Sequence, residues 1–157
     1  MTVSLPPREA GADLRSAAGR GGAIARLGLR RSSLDVVDLI VAAHASFARV
    51  VVLYLVLLGG WGIAAGLRGN APSGSYLGAL VIAEGVALLQ GLLGVANLFA
   101  RPPQNTIHLL YGVALALALP LAWSYTRGRP GGRVSLMLGV SALFAAGLGI
   151  RGLTTGG

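Results

Sequence analysis

His44 and His108 are the chain's two histidines, and each stands near the start of an apolar stretch. An imidazole at the mouth of such a stretch needs a hydrogen bond, a metal or a proton to justify its place. Glu84, Gln90, Asn97 and Tyr111 stand within the same stretches. Polar groups inside a spanning segment are costly, which makes them candidate functional residues. Two neutral imidazoles can serve as axial ligands to haem iron. A lone carboxyl such as Glu84 either holds a proton or cation, or bonds to a neighbour such as Ser141 or a backbone carbonyl.

These side chains can act together only if the segments carrying them pack side by side. Four apolar runs cover residues 50–67, 76–100, 106–125 and 134–150, each bounded by Arg, Pro or Gly. A membrane-spanning helix needs about 20 such residues. Backbone polar groups exposed to lipid must pair within their own segment, so the runs are expected to be helical. The connections RGNAPSGS, RPPQN and RGRPGGR are short. Short connections make consecutive helices antiparallel neighbours. The expected fold is all-α: an integral membrane up-down four-helix bundle with helices about 33–67, 76–100, 106–126 and 133–152.

Ser32 with Asp35 makes a start resembling a capping box. Asp35, Asp38, Ala42, Ser46 and Arg49 then share one helical face, with Val37, Ile40, Val41 and His44 opposite. That pattern suggests a short interfacial helix running into the first span. Residues 1–31, rich in Gly, Ala and Arg and holding Pro6-Pro7, read as a flexible tail before a membrane domain of residues 32–157.

Composition agrees with a membrane setting. The chain is 54% hydrophobic and 11% charged, with a mean hydropathy of +0.72. Soluble domains carry about 25% charged residues. The absence of cysteine removes disulfides, thiolate catalysis and Cys-ligated metals. The net charge of +8 is carried by arginine alone. Its arginines stand at segment ends rather than on one helix face, which argues against nucleic-acid binding. Arg8, Arg15, Arg20, Arg26, Arg30, Arg31 and Arg49 all precede residue 50. By the positive-inside habit, the termini are expected on the cytoplasmic side of a bacterial cell membrane. There is no phosphate loop with lysine, no Ser/His/Asp set and no acid pair, so no enzyme is expected.

The up-down topology brings both histidines to one end of the bundle. Gly112 lies one turn deeper than His108, and Ala48 one turn deeper than His44. Small residues beside two facing imidazoles would leave room for a flat macrocycle; the alternative is an interfacial His108 bonded to a loop carbonyl. Gln90, Gly94, Asn97 and Arg101 form one helical stripe, with Glu84 about 120° away. Pro120 is expected to kink the third helix. Trp61, Trp123 and Tyr125 suit interfacial anchors. Gly62/Gly66, Gly78/Gly85, Gly91/Gly94, Gly112/Ala116 and Ala142/Ala146/Gly149 offer small faces for close helix packing, within the bundle or onto a partner.

The stretch GVALLQGLLGVANLF, followed after a short loop by HLLYGVALALALPLAW, resembles the QxxLG helix and succeeding histidine helix of the haem A synthase family. A broader likeness to cytochrome b561-like membrane haem proteins is also compatible. The resemblance covers residues 44–124. It implies a four-helix half-bundle with His44 and His108 as the haem-ligand pair and Gln90 as the glutamine of the motif. Ile40 stands where that family places a glutamate, and one half-bundle is present, so the resemblance implies haem binding rather than synthesis.

Three readings remain open. The chain is an accessory or structural subunit packing through Gly/Ala faces onto a larger membrane complex or a second copy. Alternatively it is a bis-His haem b electron carrier or a haem A synthase-like protein, with Arg49 or Arg101 pairing with propionates. A small transporter using Glu84 is the third. The bilayer is a partner in each; nucleic acid is in none.

Overall fold

The computed structural model describes residues 9–100 and 106–156, with side chains placed for 35–99 and 106–156. It holds four helices: α1 (Glu9–Leu67), α2 (Gly74–Ala100), α3 (Thr106–Thr126) and α4 (Gly132–Thr155). All four are long and apolar enough to cross a membrane, the first over Asp35–Leu67. Three of the four helices match the expected bounds to within a few residues. The first differs: helix begins at Glu9, so it covers most of the segment read as a tail, and Ser32 lies within it. Ala, Arg and Leu there favour helix, and the strong breakers Pro6-Pro7 lie before it. By its contacts the chain divides into a unit of Met1–Leu39 and one of Ile40–Gly157. The second unit is the bundle.

Within it each helix lies beside its neighbours in sequence, and the ring closes between α4 and α1. Tyr54 Oη donates to the Ala79 carbonyl at 3.0 Å, joining α1 to α2. The third helix packs on both α2 and α4. Buried positions follow helical spacing: Val51, Leu55 and Leu58 in α1, Tyr76, Leu80, Ala83 and Ala87 in α2, Leu138, Ala142 and Ala145 in α4. Leu53, Leu57, Val81, Leu92, Leu110 and Leu121 are exposed. In a spanning bundle those positions meet lipid tails.

Lipid supplies no hydrophobic drive for helices to associate, so close backbone packing must hold them. The contact between α1 and α4 is of that kind. A Cβ added at Gly139 would lie 2.6 Å from the Ile63 amide nitrogen and 2.8 Å from the Gly59 carbonyl oxygen. One added at Gly66 would lie 2.6 Å from the Leu136 amide nitrogen. Gly62 leaves room for the Tyr76 hydroxyl as well as for Gly139. The Gly62/Gly66 pair therefore packs inside the bundle. By contrast Gly78, Gly85, Gly91 and Gly112 are exposed, with open space where a Cβ would stand; those small faces do not join this bundle.

At the end of α1 the chain turns by a Schellman motif. Asn70 N donates to Ala65 O, and Gly69 N to Gly66 O, both at 3.0 Å, with Gly69 at φ 76°. Pro120 lies inside α3, and the helix continues through it to Thr126.

The backbone contact predicts a contrast between two glycines of α4. Gly139→Val forces α1 and α4 apart and costs ~2 kcal/mol or more. Gly147→Val, with open space beside it, stays within about 0.5 kcal/mol. Unfolding midpoints in detergent, followed by tryptophan fluorescence, check this; equal midpoints would contradict the packing.

Candidate functional site

The topology brings together the ends of α2 and α4, the start of α3 and the His44 region of α1. The rings of His44 and His108 stand 6.1 Å apart between centroids, with planes at 74°. Both residues are half-buried. The sequence-predicted pair thus meets in space.

The His44 ring is seated against a glycine of α2, and the His108 ring against the glycine that follows α4. An added Cβ at Gly94 would lie 3.1 Å from His44 Cε1, and one at Gly156 would lie 2.6 Å from His108 Cε1. Gly112, expected to leave room beside the His108 ring, does not have that role. Gly112 is exposed with open space beside it, because its face of α3 is turned outward. The small residues that accommodate the imidazoles come from α2 and from just past α4.

His108 Nδ1 lies 3.0 Å from the Gly152 carbonyl oxygen. A carbonyl only accepts, so Nδ1 carries the hydrogen and Nε2 of the neutral ring keeps its lone pair. This is the outer hydrogen bond that metal-ligating histidines commonly make.

Gln90 holds His44 differently. Its amide nitrogen donates to the His44 carbonyl oxygen at 3.0 Å; the flipped amide would set two oxygens against each other. The same nitrogen lies 3.1 Å from His44 Nδ1 and 3.5 Å from Nε2. It is thus close to both ring nitrogens and does not select one of them. Gln90 and Gly94 are one helical turn apart, so the first grips the histidine while the second makes space for it. That is the physical content of the Q-x-x-L-G spacing in this chain.

Acceptors remain without partners nearby. Gln90 Oε1 and Asn97 Oδ1 are buried and have no hydrogen-bond partner, as does Glu84 Oε2. Buried polar atoms are normally paired. Glu84 stands about 9 Å along the helix from Gln90, away from the histidines. It is not part of their cluster, and its Oε2 makes no bond to Ser141.

Arg49 is exposed on α1 and makes no described hydrogen bond to the pair. Arg101 lies outside the described residues. Arg151 was missed: its guanidinium stands 5.9 Å from the centre of the Tyr111 ring, one turn along α3 from His108. In the sequence it looked like a span boundary, because contact between α3 and the end of α4 is not visible in either segment alone.

Four apolar helices in antiparallel order define a multi-pass integral membrane protein. No family model, curated protein or solved structure matches the chain.

The glycine seats generate a test. Gly94→Val drives a side chain into His44 and shifts its ring ¹⁵N resonances, whereas Gly91→Val, beside open space, leaves them in place. Unchanged His44 resonances in Gly94→Val would contradict the seating.

Proposed function

We propose that this chain is a small membrane haem protein that carries electrons, with His44 and His108 as the iron ligands. The observation that carries the reading is the approach of the two imidazoles to 6.1 Å. Two imidazoles this close could both be held by one metal, whose bonds to ring nitrogens are about 2 Å long. Among the described residues no group of three or more His, Asp or Glu forms. Haem needs no third protein ligand, because the macrocycle completes the coordination. Bound haem would supply one-electron transfer.

The residues have distinct parts in this reading. The Gly152 carbonyl accepts from His108 Nδ1, so Nε2 would be the atom that holds the iron. Gln90 and Gly94 position His44 from α2. Arg151, set against the Tyr111 ring one turn along α3 from His108, is suited to a propionate. The arginines before residue 50 support cytoplasmic termini, and with that orientation this site would lie at the cytoplasmic face.

Protein purified from haem-replete membranes is expected to show a Soret band that falls to background in His44→Ala and in His108→Ala. A colourless unsubstituted protein would refute the reading.

A second reading, an accessory subunit docking on a larger membrane complex, is favoured by Gly78 and Gly85. Both are exposed along α2 with open space beside them, the kind of surface that another helix packs against. In mild detergent, Gly85→Leu is expected to shift the protein from a larger native-gel species to the monomer while its own unfolding midpoint holds. A species of monomer size before substitution would sink this second reading.

A further inference from the structure

At the end of the bundle opposite the histidines, two short connections meet. A Cβ added at Gly132 would lie 2.6 Å from the Gly69 carbonyl carbon. Ser135 Oγ, fully buried, donates to the Asn70 carbonyl at 2.8 Å. The connections are therefore fastened to each other. Residues 68–75 and 126–133 include Arg68, Arg127, Arg129 and Arg133 and no Asp or Glu.

Beside them is a cavity of about 200 Å³. Leu77, Trp123 and Val134 give it apolar lining, and Arg127 and Arg129 give it charge. Thr126 also lines it, but its hydroxyl is engaged by the Ala122 carbonyl at 2.8 Å. The Arg129 guanidinium lies 4.1 Å from the centre of the Tyr125 ring. Stacking of this kind holds a guanidinium in place and uses none of its N–H donors. At roughly 30 Å³ per water the cavity has room for several waters, or for a phosphate group and its bridging atoms. Trp123 and Tyr125 are 42% and 58% exposed, as suits aromatic side chains at a membrane–water boundary.

We propose that this cavity binds the phosphodiester headgroup of an anionic membrane lipid, with Arg127 and Arg129 on the phosphate. Free phosphate offers the same charge, but only a lipid also uses the apolar lining at a span's end. A ring-stacked Arg129 with Arg127 beside it, next to an interfacial aromatic, is a surface that anionic headgroups favour. The site does not depend on the histidine pair or on haem.

The test uses the full chain in nanodiscs, with Trp61→Phe so that Trp123 is the sole tryptophan. Brominated phosphatidylglycerol, at equal mole fraction, is expected to quench Trp123 at least about threefold more than brominated phosphatidylcholine. Arg127→Gln with Arg129→Gln is expected to remove that preference while circular dichroism and the unfolding midpoint stay unchanged. Equal quenching by the two lipids before the arginine substitutions would overturn the proposal, and so would a preference that survives them. If inorganic phosphate abolishes the preference where chloride at equal ionic strength does not, the ligand is free phosphate and the lipid assignment falls.

Discussion

Helices in lipid gain nothing from apolar burial against each other, because the tails are as apolar as leucine. This bundle accordingly depends on the backbone contact of α1 with α4. Gly59, Gly62 and Gly66 on one side meet Leu143, Gly139 and Leu136 on the other at distances no side chain would allow. That contact sets the register of the two helices, and the register decides what lies at each end. Gly149 packs on Val52 and Leu115 further along, bringing α3 into line, and the last turn of α4 reaches His108. A slide of one turn, about 5.4 Å, would remove the Gly152 carbonyl from the imidazole.

Spans, antiparallel order and the shared end of the histidines were legible in the sequence, since they follow from run length, breakers and short connections. The Gly62/Gly66 face was legible too. Which other glycines pack was not: Gly78, Gly85 and Gly94 look alike as letters, but Gly94 seats an imidazole while the first two face outward. In a chain apolar on all helix faces, hydrophobic periodicity does not tell inside from outside. The seats of the rings were hidden as well, because Gly94 lies in α2 and Gly156 just past α4, neither of which carries a histidine. Helix begins at Glu9, earlier than the start near residue 33 that the apolar pattern suggested, because helix formers without an apolar run leave no periodic signal.

The two ends differ in chemistry. At one, two imidazoles, two amides with unpaired oxygens and a peptide carbonyl gather, with Arg151 alongside. At the other, fixed connections present arginines with no acid between them. The first arrangement suits a neutral-donor ligand site, and the second suits an anion. Glu84 lies between these ends in sequence and belongs to neither cluster.

Convergence of His44 and His108 is the claim on which the functional account turns, and it can be measured without any ligand. The chain has no cysteine, so a His44→Cys, His108→Cys variant carries a single reporting pair. A short bifunctional thiol reagent, added in membranes, is expected to join the two positions within one chain. The fragments bearing them then stay linked after tryptic cleavage at Arg68, as read by mass spectrometry. Two thiols each modified on separate, unlinked fragments would contradict the account.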